Sequence, residues 1–489
     1  MKTIQELYKT QSICPICRKP LPANYVLDDG KAYLRKTCPE HGTFESCIAE
    51  KADDFIKWTD HQVINIPPKR PITKGEAGTC PLNCGTCEEH LQTACCVLID
   101  VTKRCNQHCP YCFARAEEDV SLDFSLAEME QKYDLLLSLG EERPFNIQLS
   151  GGEPTVRDDL PEIIKMGRDK GFEYIQINTN GRRIATEEGY AKKLKAAGAT
   201  VIFMQFDGTT DEIYHTLRAE PLLDLKKKAI QNCRKAGLPV TLVPTIVKNV
   251  NLNNIGAMME FLLDNVDVVK GIHFQPVSFF GRYPDEMCEA GGVHHDFENR
   301  VTMFDVMHEM EKQTAGKFAY DDLCPITTGH TLCCFYGTYS KEADGSVKSL
   351  ISEQTKAAGV GCCCEADPLA VIKKDRDFVL NKWDLPEQSE QDCGCDCDSA
   401  KSEESGCCCD GAKSQENDCD CVSTEPEILD FDQFLIQLKR NMFTVSAMAF
   451  QDASNLDAER LRRCRVQQLT EDDRLIPFCA YNSIYRGEV

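Results

Sequence analysis

Three cysteines in the stretch VTKRCNQHCPYCFA are spaced for a metal cluster, as Cys105-x3-Cys109-x2-Cys112. Thiolates select zinc, copper(I) and iron–sulfur clusters. Three thiolates hold three irons of a [4Fe–4S] cubane and leave the fourth iron free to accept a chelating substrate. A structural zinc site would need a fourth ligand at matching spacing, which this stretch lacks. The spacing therefore predicts a cluster with one open iron.

The elements that must position this loop are alternating strands and helices. The strand candidates are residues 97–101, 145–149, 174–178, 201–206, 240–247 and 271–276. Most of the helical stretches between them end at or just before a glycine, as helix C-caps do. Six β–α repeats with buried β-branched strands predict an α/β fold with a parallel sheet covered by helices. Because six units fall short of a closed eight-stranded barrel, we expect a partial (β/α)6 barrel. Its active site would lie at the carboxyl ends of the strands.

The second strand ends in LSGGEPT, and Tyr111 places an aromatic residue before the third cysteine of the loop. With the cysteine spacing, these features resemble the signature of the radical S-adenosylmethionine (SAM) superfamily. The resemblance implies a [4Fe–4S] cluster and SAM as cofactors, and an electron donor such as ferredoxin or flavodoxin as partner. It also implies reductive cleavage of SAM to a 5′-deoxyadenosyl radical that takes hydrogen from an unactivated carbon. The products expected are a new carbon–carbon bond or a methylated carbon.

The resemblance also implies which residues bind SAM. Glycines permit close backbone approach, and the Glu153 carboxylate is a charge-assisted acceptor for the SAM ammonium. For the residues after strands three and four, turn formation is an equal alternative, since NTNG and FDG are good turn sequences. The positions implied are Tyr111, Gly151, Gly152, Glu153, Asn178, Asn180 and Asp207.

Further cysteines predict auxiliary metal sites. A second CxxxCxxC motif lies upstream of the first strand and has no GGEP partner, so we interpret it as an auxiliary cluster. Its ligands would be Cys80, Cys84, Cys87 and either Cys95 or Cys96. Another cluster could be held by Cys324, Cys333 or Cys334, Cys464 and Cys479, although packing cysteines are the alternative there. In the first 50 residues, a hairpin-length insert separates a CxxC knuckle from CPEH, which is typical of a zinc ribbon or rubredoxin-like site. The ligands there would be Cys14, Cys17, Cys38 and His41, with zinc or iron as the metal.

About residues 10–335 and 430–485 resemble one subgroup of the superfamily, which includes tetraether lipid synthases and dihydropterin methyltransferases, whereas the insertion at roughly 340–427 departs from it. The features that carry this likeness are CPEHG, CPxxCGxC, FQPVSFFGR and IPFCAYN. The substrate stays open between a lipid, a pterin, a peptide and a small metabolite. We expect a metal module at 1–60, an auxiliary-cluster segment at 61–96, the barrel at 97–320 and a second auxiliary-cluster region at 321–489. Within the last region, residues 385–427 form a Cys-rich acidic insertion that we expect to be disordered.

Composition limits the other function classes. The net charge is −23, which argues against a nucleic-acid-binding surface. The first residues lack the apolar core of a signal peptide, and no apolar run is long enough to span a membrane, so we expect a cytoplasmic protein. The 30 cysteines are then metal ligands rather than disulfides. Two other hypotheses are an iron–sulfur electron carrier and a thiol-rich metal-storage or detoxification protein. A carrier would need no SAM-binding motif, and a storage protein would lose its metal capacity if 385–427 were deleted.

Overall fold

The computed structural model describes residues 5–486 except 62, 70–75, 77, 117–122, 141–144, 285–299, 327 and 352–439. The predicted acidic insertion at 385–427 lies outside the described residues. Among the helices that are described, none has the length and apolar character needed to cross a membrane.

The N-terminal residues form an antiparallel sheet of four strands in sequential order, followed by a short helix α1 (Ala52–Thr59). The strands are β1 (Gln5–Ile13), β2 (Pro20–Asp28), β3 (Lys31–Cys38) and β4 (Gly42–Ala49). Asp29 and Gly30 join β2 to β3 with φ values of 52° and 76°. A two-residue hairpin turn with both residues left-handed favours an Asp-Gly pair, as the sequence predicts here.

This small sheet docks on residues 453–457, near the other end of the chain. The buried Lys36 Nζ donates to the Ala453 carbonyl at 2.8 Å, and Ser46 Oγ donates to the Ser454 carbonyl at 2.8 Å. Tyr25 donates its hydroxyl to Asp457 Oδ2 at 2.8 Å. Because these groups are buried and paired, separating the two parts would leave polar atoms unsatisfied, so the contact fixes their relative position.

Six parallel strands form the centre of the main sheet, as the sequence predicts. They are β5 (Cys96–Thr102), β6 (Asn146–Gly151), β7 (Ile175–Thr179), β8 (Val201–Gln205), β9 (Val240–Val243) and β11 (Val269–Pro276). Each pairs in parallel with the next, and the short β10 (Thr245–Ile246) pairs with the end of β11. Residues alternate along β8, where Ile202 and Met204 are fully buried while Phe203 and Gln205 are half-buried. The half-buried set faces the interior of the curved sheet, where the cavity described below lies.

Strands from the C-terminal region extend this sheet on both sides. β15 (Met442–Met448) pairs in parallel with β11, and β16 (Val466–Leu469) pairs in parallel with β5. The described sheet therefore has eight adjacent parallel strands rather than the six predicted. Antiparallel strands complete it, namely β12 (Cys324–Pro325), β13 (Cys334–Lys341) and β14 (Val347–Ser349) on one side and β17 (Leu475–Pro477) on the other. Among the described strands, β12 and β17 are the two ends of the sheet order, so the sheet is open.

Ten further α-helices follow in the described chain, and those between the central strands cover the outer face of the sheet. They are α2 (Leu126–Leu139), α3 (Leu160–Asp169), α4 (Arg182–Thr186), α5 (Tyr190–Ala197), α6 (Asp211–Arg218), α7 (Leu223–Lys235), α8 (Ile255–Asp264), α9 (Met303–Gln313), α10 (Ala458–Arg462) and α11 (Phe478–Ala480). Ser125 and Glu128 form a capping box at the start of α2. Cys233 on α7 is fully buried in the apolar core.

Candidate active site

The loop after β5 carries the three cysteines of the predicted cluster motif. Its far end is fixed by a two-way backbone bridge, in which Cys112 N donates to Arg282 O and Arg282 N donates to Cys112 O, both at 2.8 Å. The Arg282 guanidinium Nε also donates to the Cys109 carbonyl at 3.0 Å. The segment that follows β11 therefore holds this loop in place.

Two of the three thiols, those of Cys105 and Cys109, lie in a setting that disfavours their ionisation. Burial raises the pKa of Cys105 to about 12, helped by the negative charges of Glu153, Cys109 and Cys112. Burial also raises the pKa of Cys109. Thiolates that are buried among other negative groups need added positive charge to be stable, and cluster iron supplies it. The donor set therefore fits a thiolate-bound iron–sulfur cluster.

A cavity of about 310 Å³ opens beside this loop at the carboxyl ends of the central strands. The predicted site residues on its wall are Cys105, Cys109, Tyr111, Cys112, Gly151, Gly152, Glu153, Asn178 and Asn180. This is the position predicted for the active site of a partial barrel. Tertiary structure thus brings together residues from the ends of β6 and β7 and from the cluster loop that follows β5.

The two glycines of LSGGEPT pack directly on the backbone that leads into the cluster loop. A Cβ added to Gly151, whose φ is 124°, would lie 2.0 Å from Thr102 O. A Cβ on Gly152 would lie 2.2 Å from Arg104 O. Any side chain at either position would push the loop away, so the need for glycine is explained by this contact as well as by access to the cavity.

Glu153 is 1% exposed, and its carboxylate is held at the cavity wall by four hydrogen bonds. Oε1 accepts from Thr155 N at 3.1 Å, Thr155 Oγ1 at 2.6 Å and Thr179 Oγ1 at 2.6 Å. Oε2 accepts from Asn180 N at 2.6 Å. A carboxylate has about four acceptor sites, so these bonds orient the group and leave Oε2 with capacity for a cationic ligand.

Asn178 and Asn180 both reach the cavity, but they also have structural roles. Asn180 Nδ2 donates to Asn106 Oδ1 at 2.8 Å, which ties the end of β7 to the cluster loop. Asn180 Oδ1 accepts from Arg182 N at 3.0 Å and so begins α4. Asn180 therefore forms the turn and also lines the cavity, so the two interpretations of this residue are compatible.

Asp207 is placed differently from the implied SAM contact. It is fully buried, and the cavity lining does not include it. Its two oxygens accept from Arg218 Nε and Nη2, each at 2.7 Å, and Oδ1 also accepts from Thr245 N at 3.0 Å. Asp207 thus pairs with Arg218 in this structure, and its direct contact with SAM stays a prediction. Asp207 orients Arg218, which donates from Nη1 to the Tyr111 carbonyl at 2.7 Å.

Sequence reasoning missed Arg218 and Arg282, whose guanidinium groups donate to backbone carbonyls of the cluster loop. Arg218 ends α6, a helix that the sequence pattern did not reveal, and Arg282 follows β11 within FQPVSFFGR. A buried arginine gives no local sequence signal, because its role depends on the carbonyl it meets across the fold. The one available hint was the position of Arg282 directly after the last predicted strand.

The two auxiliary cysteine groups are only partly brought together. Burial raises the pKa of Cys80 to about 11, with Arg462 lowering it and the nearby Cys87 thiolate raising it further. Burial, with smaller contributions from Cys80 and Cys87, also raises the pKa of Cys84. These contributions place the thiols of Cys80 and Cys87 near Cys84, and their role as ligands of an auxiliary cluster stays a prediction. Tyr485 near the C-terminus packs on this motif and accepts a hydrogen bond from Cys84 N at 2.6 Å.

The second group centres on Cys464, Cys479 and Cys333. Burial raises the pKa of Cys464, and the thiolates of Cys479 and Cys333 raise it further. The buried Arg460 lies nearby and donates from Nη2 to the Ala449 carbonyl at 2.6 Å.

The remaining candidate ligands of the two auxiliary groups are Cys95, Cys96, Cys324 and Cys334. Cys95 Sγ lies 3.5 Å from the carbonyl of Arg465, next to Cys464 in the chain. Cys96 is buried on β5, and Cys334 is buried at the start of β13. Cys324 lies on β12 near Tyr339. Burial is the main cause that raises the pKa of Tyr339, and the negative charges of Asp322 and Cys324 raise it further.

The N-terminal ligand set is assembled as predicted. The ligand atoms of Cys14, Cys17, Cys38 and His41 all lie within 4.8 Å of one another. Cys14 Sγ and Cys38 Sγ lie 3.6 Å and 3.4 Å from His41 Nδ1. Three thiols and one imidazole in this arrangement are a tetrahedral zinc donor set.

Comparison with known proteins agrees with this geometry. Residues 99–262 match the family described as the radical SAM superfamily, and residues 6–50 match the HMPTM N-terminal zinc ribbon domain. The chain is also similar to solved structures such as SuiB of Streptococcus suis bound to its precursor peptide SuiA. That likeness is 13% identity and a TM-score of 0.35 over 46% of each chain. The fold and the site together define a radical SAM enzyme, which uses a [4Fe–4S] cluster and SAM.

A full-length relative places the chain more closely. It is 34% identical to the 7,8-dihydro-6-hydroxymethylpterin dimethyltransferase of Methanocaldococcus jannaschii, over 98% of this chain and 94% of the relative. The chain belongs to the radical SAM family that contains this dimethyltransferase. Over a shorter range it is 34% identical to the Fe-coproporphyrin III synthase of Methanosarcina barkeri, covering 38% of this chain and 45% of that protein.

Proposed function

We propose that this radical SAM enzyme acts on a carbon of a pterin-type heterocycle, leading to its methylation. The observation that carries the substrate class is the lining of the cavity. Carboxamides line part of its wall, from Gln148, Asn178, Gln205 and Gln275. Aromatic side chains line another part, from Phe203, Phe280, Phe450 and Phe478. A flat heterocycle presents polar edges and an apolar face, so both kinds of wall find a partner.

The same lining argues against a long lipid chain. A saturated chain would leave the carboxamides of Gln148, Gln205 and Gln275 in contact with methylene groups. Each unsatisfied buried polar group costs on the order of 1–3 kcal/mol. A pterin ring offers carbonyl, amino and ring-nitrogen atoms that satisfy such groups. The full-length relative is a pterin dimethyltransferase by name, which supports the same substrate class.

The residues proposed to hold the cofactors follow from the geometry. Cys105, Cys109 and Cys112 would ligate the cluster, and Glu153 would accept a hydrogen bond from the SAM ammonium. When both cofactors are bound, reductive cleavage of SAM supplies a 5′-deoxyadenosyl radical to the substrate carbon. The chain itself contributes orientation: Glu153 is fixed by four donors, and Arg218 fixes the cluster loop. Such fixed positioning is how a protein brings reacting atoms within reach.

The other metal sites complete the proposal. Cys80, Cys84 and Cys87 would hold one auxiliary cluster. A second would be held by Cys333, Cys464 and Cys479, with Cys95 as the candidate fourth ligand in place of Cys324. Zinc would occupy the N-terminal site. The proposed organisation keeps the metal module at 1–60, the auxiliary segment at 61–96, the barrel at 97–320 and the auxiliary region at 321–489. A ferredoxin or flavodoxin is the proposed electron donor, and the cytoplasm the proposed location.

The test is substrate-stimulated SAM cleavage under anaerobic conditions. Reconstituted protein is incubated with SAM, dithionite and 7,8-dihydro-6-hydroxymethylpterin, and 5′-deoxyadenosine is measured by mass spectrometry. We expect the pterin to stimulate 5′-deoxyadenosine formation, and a perdeuterated pterin to transfer deuterium into it. A long-chain dialkyl glycerol lipid is the comparison substrate. The pterin proposal is wrong if the lipid stimulates 5′-deoxyadenosine formation and a perdeuterated lipid transfers deuterium into it, while the pterin does neither.

A further inference from the structure

The buried lysine Lys226 on α7 contacts the cavity wall from behind. Its side chain is completely buried, and its Nζ donates to Asn180 O at 2.6 Å and to Gln205 Oε1 at 3.1 Å. Burying an ammonium group costs free energy unless the group is paired or hydrogen-bonded. Here, one of its two partners is a side chain that lines the cavity.

The contact fixes which way the Gln205 amide points. An ammonium has three donors and no acceptor, so only the amide oxygen of Gln205 can face Lys226. The amide NH2 group must then be on the side away from Lys226. Gln205 is half-buried on the inner face of β8 and lines the cavity, and no described residue accepts a hydrogen bond from its Nε2. The Nε2 group of Gln205 can therefore donate a hydrogen bond into the cavity.

Two rings flank the same part of the wall. Phe203 lies two residues before Gln205 on the same face of β8, and its ring centroid is 5.7 Å from that of His273 on β11. His273 Nδ1 is 2.9 Å from Ser446 Oγ, which orients the imidazole. A planar ligand that packs on Phe203 would bring its edge to the Gln205 amide.

We propose that Gln205 is a specificity-determining residue that donates a hydrogen bond to an acceptor atom of the substrate ring, with Lys226 as its positioning residue. This inference rests on the proposed function, because it assumes that a heterocycle occupies the cavity. The acceptor is a ring carbonyl oxygen or an imine-type ring nitrogen, since both accept from an amide N–H. A hydrocarbon at this place would leave the donor unsatisfied.

Binding of 6-hydroxymethylpterin to the reconstituted enzyme, followed by fluorescence quenching, tests the proposal. Gln205→Met keeps the approximate size and removes the donor, so we expect the dissociation constant to rise about 5- to 150-fold. Gln205→Glu keeps the shape and replaces the donor with an acceptor, and it should weaken binding as well. A pterin without the ring carbonyl and a pterin with carbon in place of a ring nitrogen identify the acceptor. The wild type should discriminate against one of them, and Gln205→Met should not.

The role of Lys226 is tested by a double-mutant cycle. Lys226→Met frees the Gln205 amide to rotate, so it should weaken pterin binding and reduce the discrimination between the two analogues. Added to Gln205→Met, it should cause no further loss, because the group that it orients is gone. The matched control is Lys270→Met. Lys270 is equally buried and donates to the carbonyls of Val266 and Arg440, and the cavity lining does not include it.

The outcomes separate the two proposals. If the wild type binds no pterin at all, the proposed function is wrong. If the wild type binds pterin and Gln205→Met binds it equally well, the proposed function survives and this inference is overturned. A Gln205→Met variant that loses affinity for SAM but keeps its affinity for pterin would also overturn it, since Gln205 would then belong to the SAM site.

Discussion

The buried pair of Asp207 and Arg218 offers a direct test of how the cluster loop is held. Asp207 is fully buried and accepts two bonds of 2.7 Å from Arg218, which in turn binds the Tyr111 carbonyl. Asp207→Ala would leave the Arg218 charge buried without its partner. Breaking a buried pair in this way costs about 3–5 kcal/mol. We therefore expect a large loss of stability in urea unfolding, together with loss of cluster during reconstitution.

A double variant separates the effect of the buried ion pair from the effect of the hydrogen bond to the Tyr111 carbonyl. Replacing a buried ion pair with apolar residues of similar volume is often close to neutral. Asp207→Leu combined with Arg218→Met should therefore recover most of the stability lost by Asp207→Ala. It should still retain cluster poorly, because the donor to the Tyr111 carbonyl is missing. The control is Asp169→Ala, which removes an exposed pair with Lys165 and should cost no more than about 0.5 kcal/mol.

One result would refute this reasoning. If Asp207→Ala unfolds at the same urea concentration as the wild type while its affinity for SAM falls, Asp207 contacts the cofactor and the implied role from the family resemblance is right. Isothermal titration calorimetry with SAM on the wild type and on Asp207→Ala measures this affinity. Because Asp207 lies outside the cavity lining, we expect its effect on SAM binding to follow from loss of the cluster.

The remaining predictions concern the metal and cofactor sites. Replacing Cys105, Cys109 and Cys112 together with Ala should remove about four irons per chain and abolish 5′-deoxyadenosine formation. Glu153→Gln should weaken SAM binding about 10- to 150-fold, because it removes a charge-assisted acceptor. His41→Ala should lower the zinc content measured by plasma mass spectrometry and expose the N-terminal sheet to proteolysis, since the site couples metal binding to folding.

Each of these has its own control. For the triple cysteine variant, Cys233→Ala is matched, since Cys233 is fully buried in the apolar core and should leave the iron content unchanged. SAM cleavage by the triple variant would overturn the cluster assignment. For Glu153→Gln, unchanged SAM affinity would assign the carboxylate to a structural role in holding Thr179 and Asn180. An unchanged zinc content in His41→Ala would remove His41 from the ligand set.

Local sequence determined a large part of this protein. Strand and helix periodicity predicts the six central strands, because each β–α unit is formed by residues close together in the chain. Cysteine spacing predicts the cluster loop and the N-terminal metal set, because ligands of one site are brought together by a single turn or hairpin. The Asp-Gly turn between β2 and β3 follows for the same reason.

Tertiary structure alone decided the rest. The strands β15 and β16 join the two sides of the sheet after long intervals in sequence, so no local pattern marks them as its seventh and eighth parallel members. Asp207 has a turn-like sequence context, yet its role is set by Arg218, which only the fold brings to it. The direction of the Gln205 amide is set by Lys226 on a different element. A sequence pattern shows which faces are buried, but the partner of a buried polar group depends on contacts between distant segments.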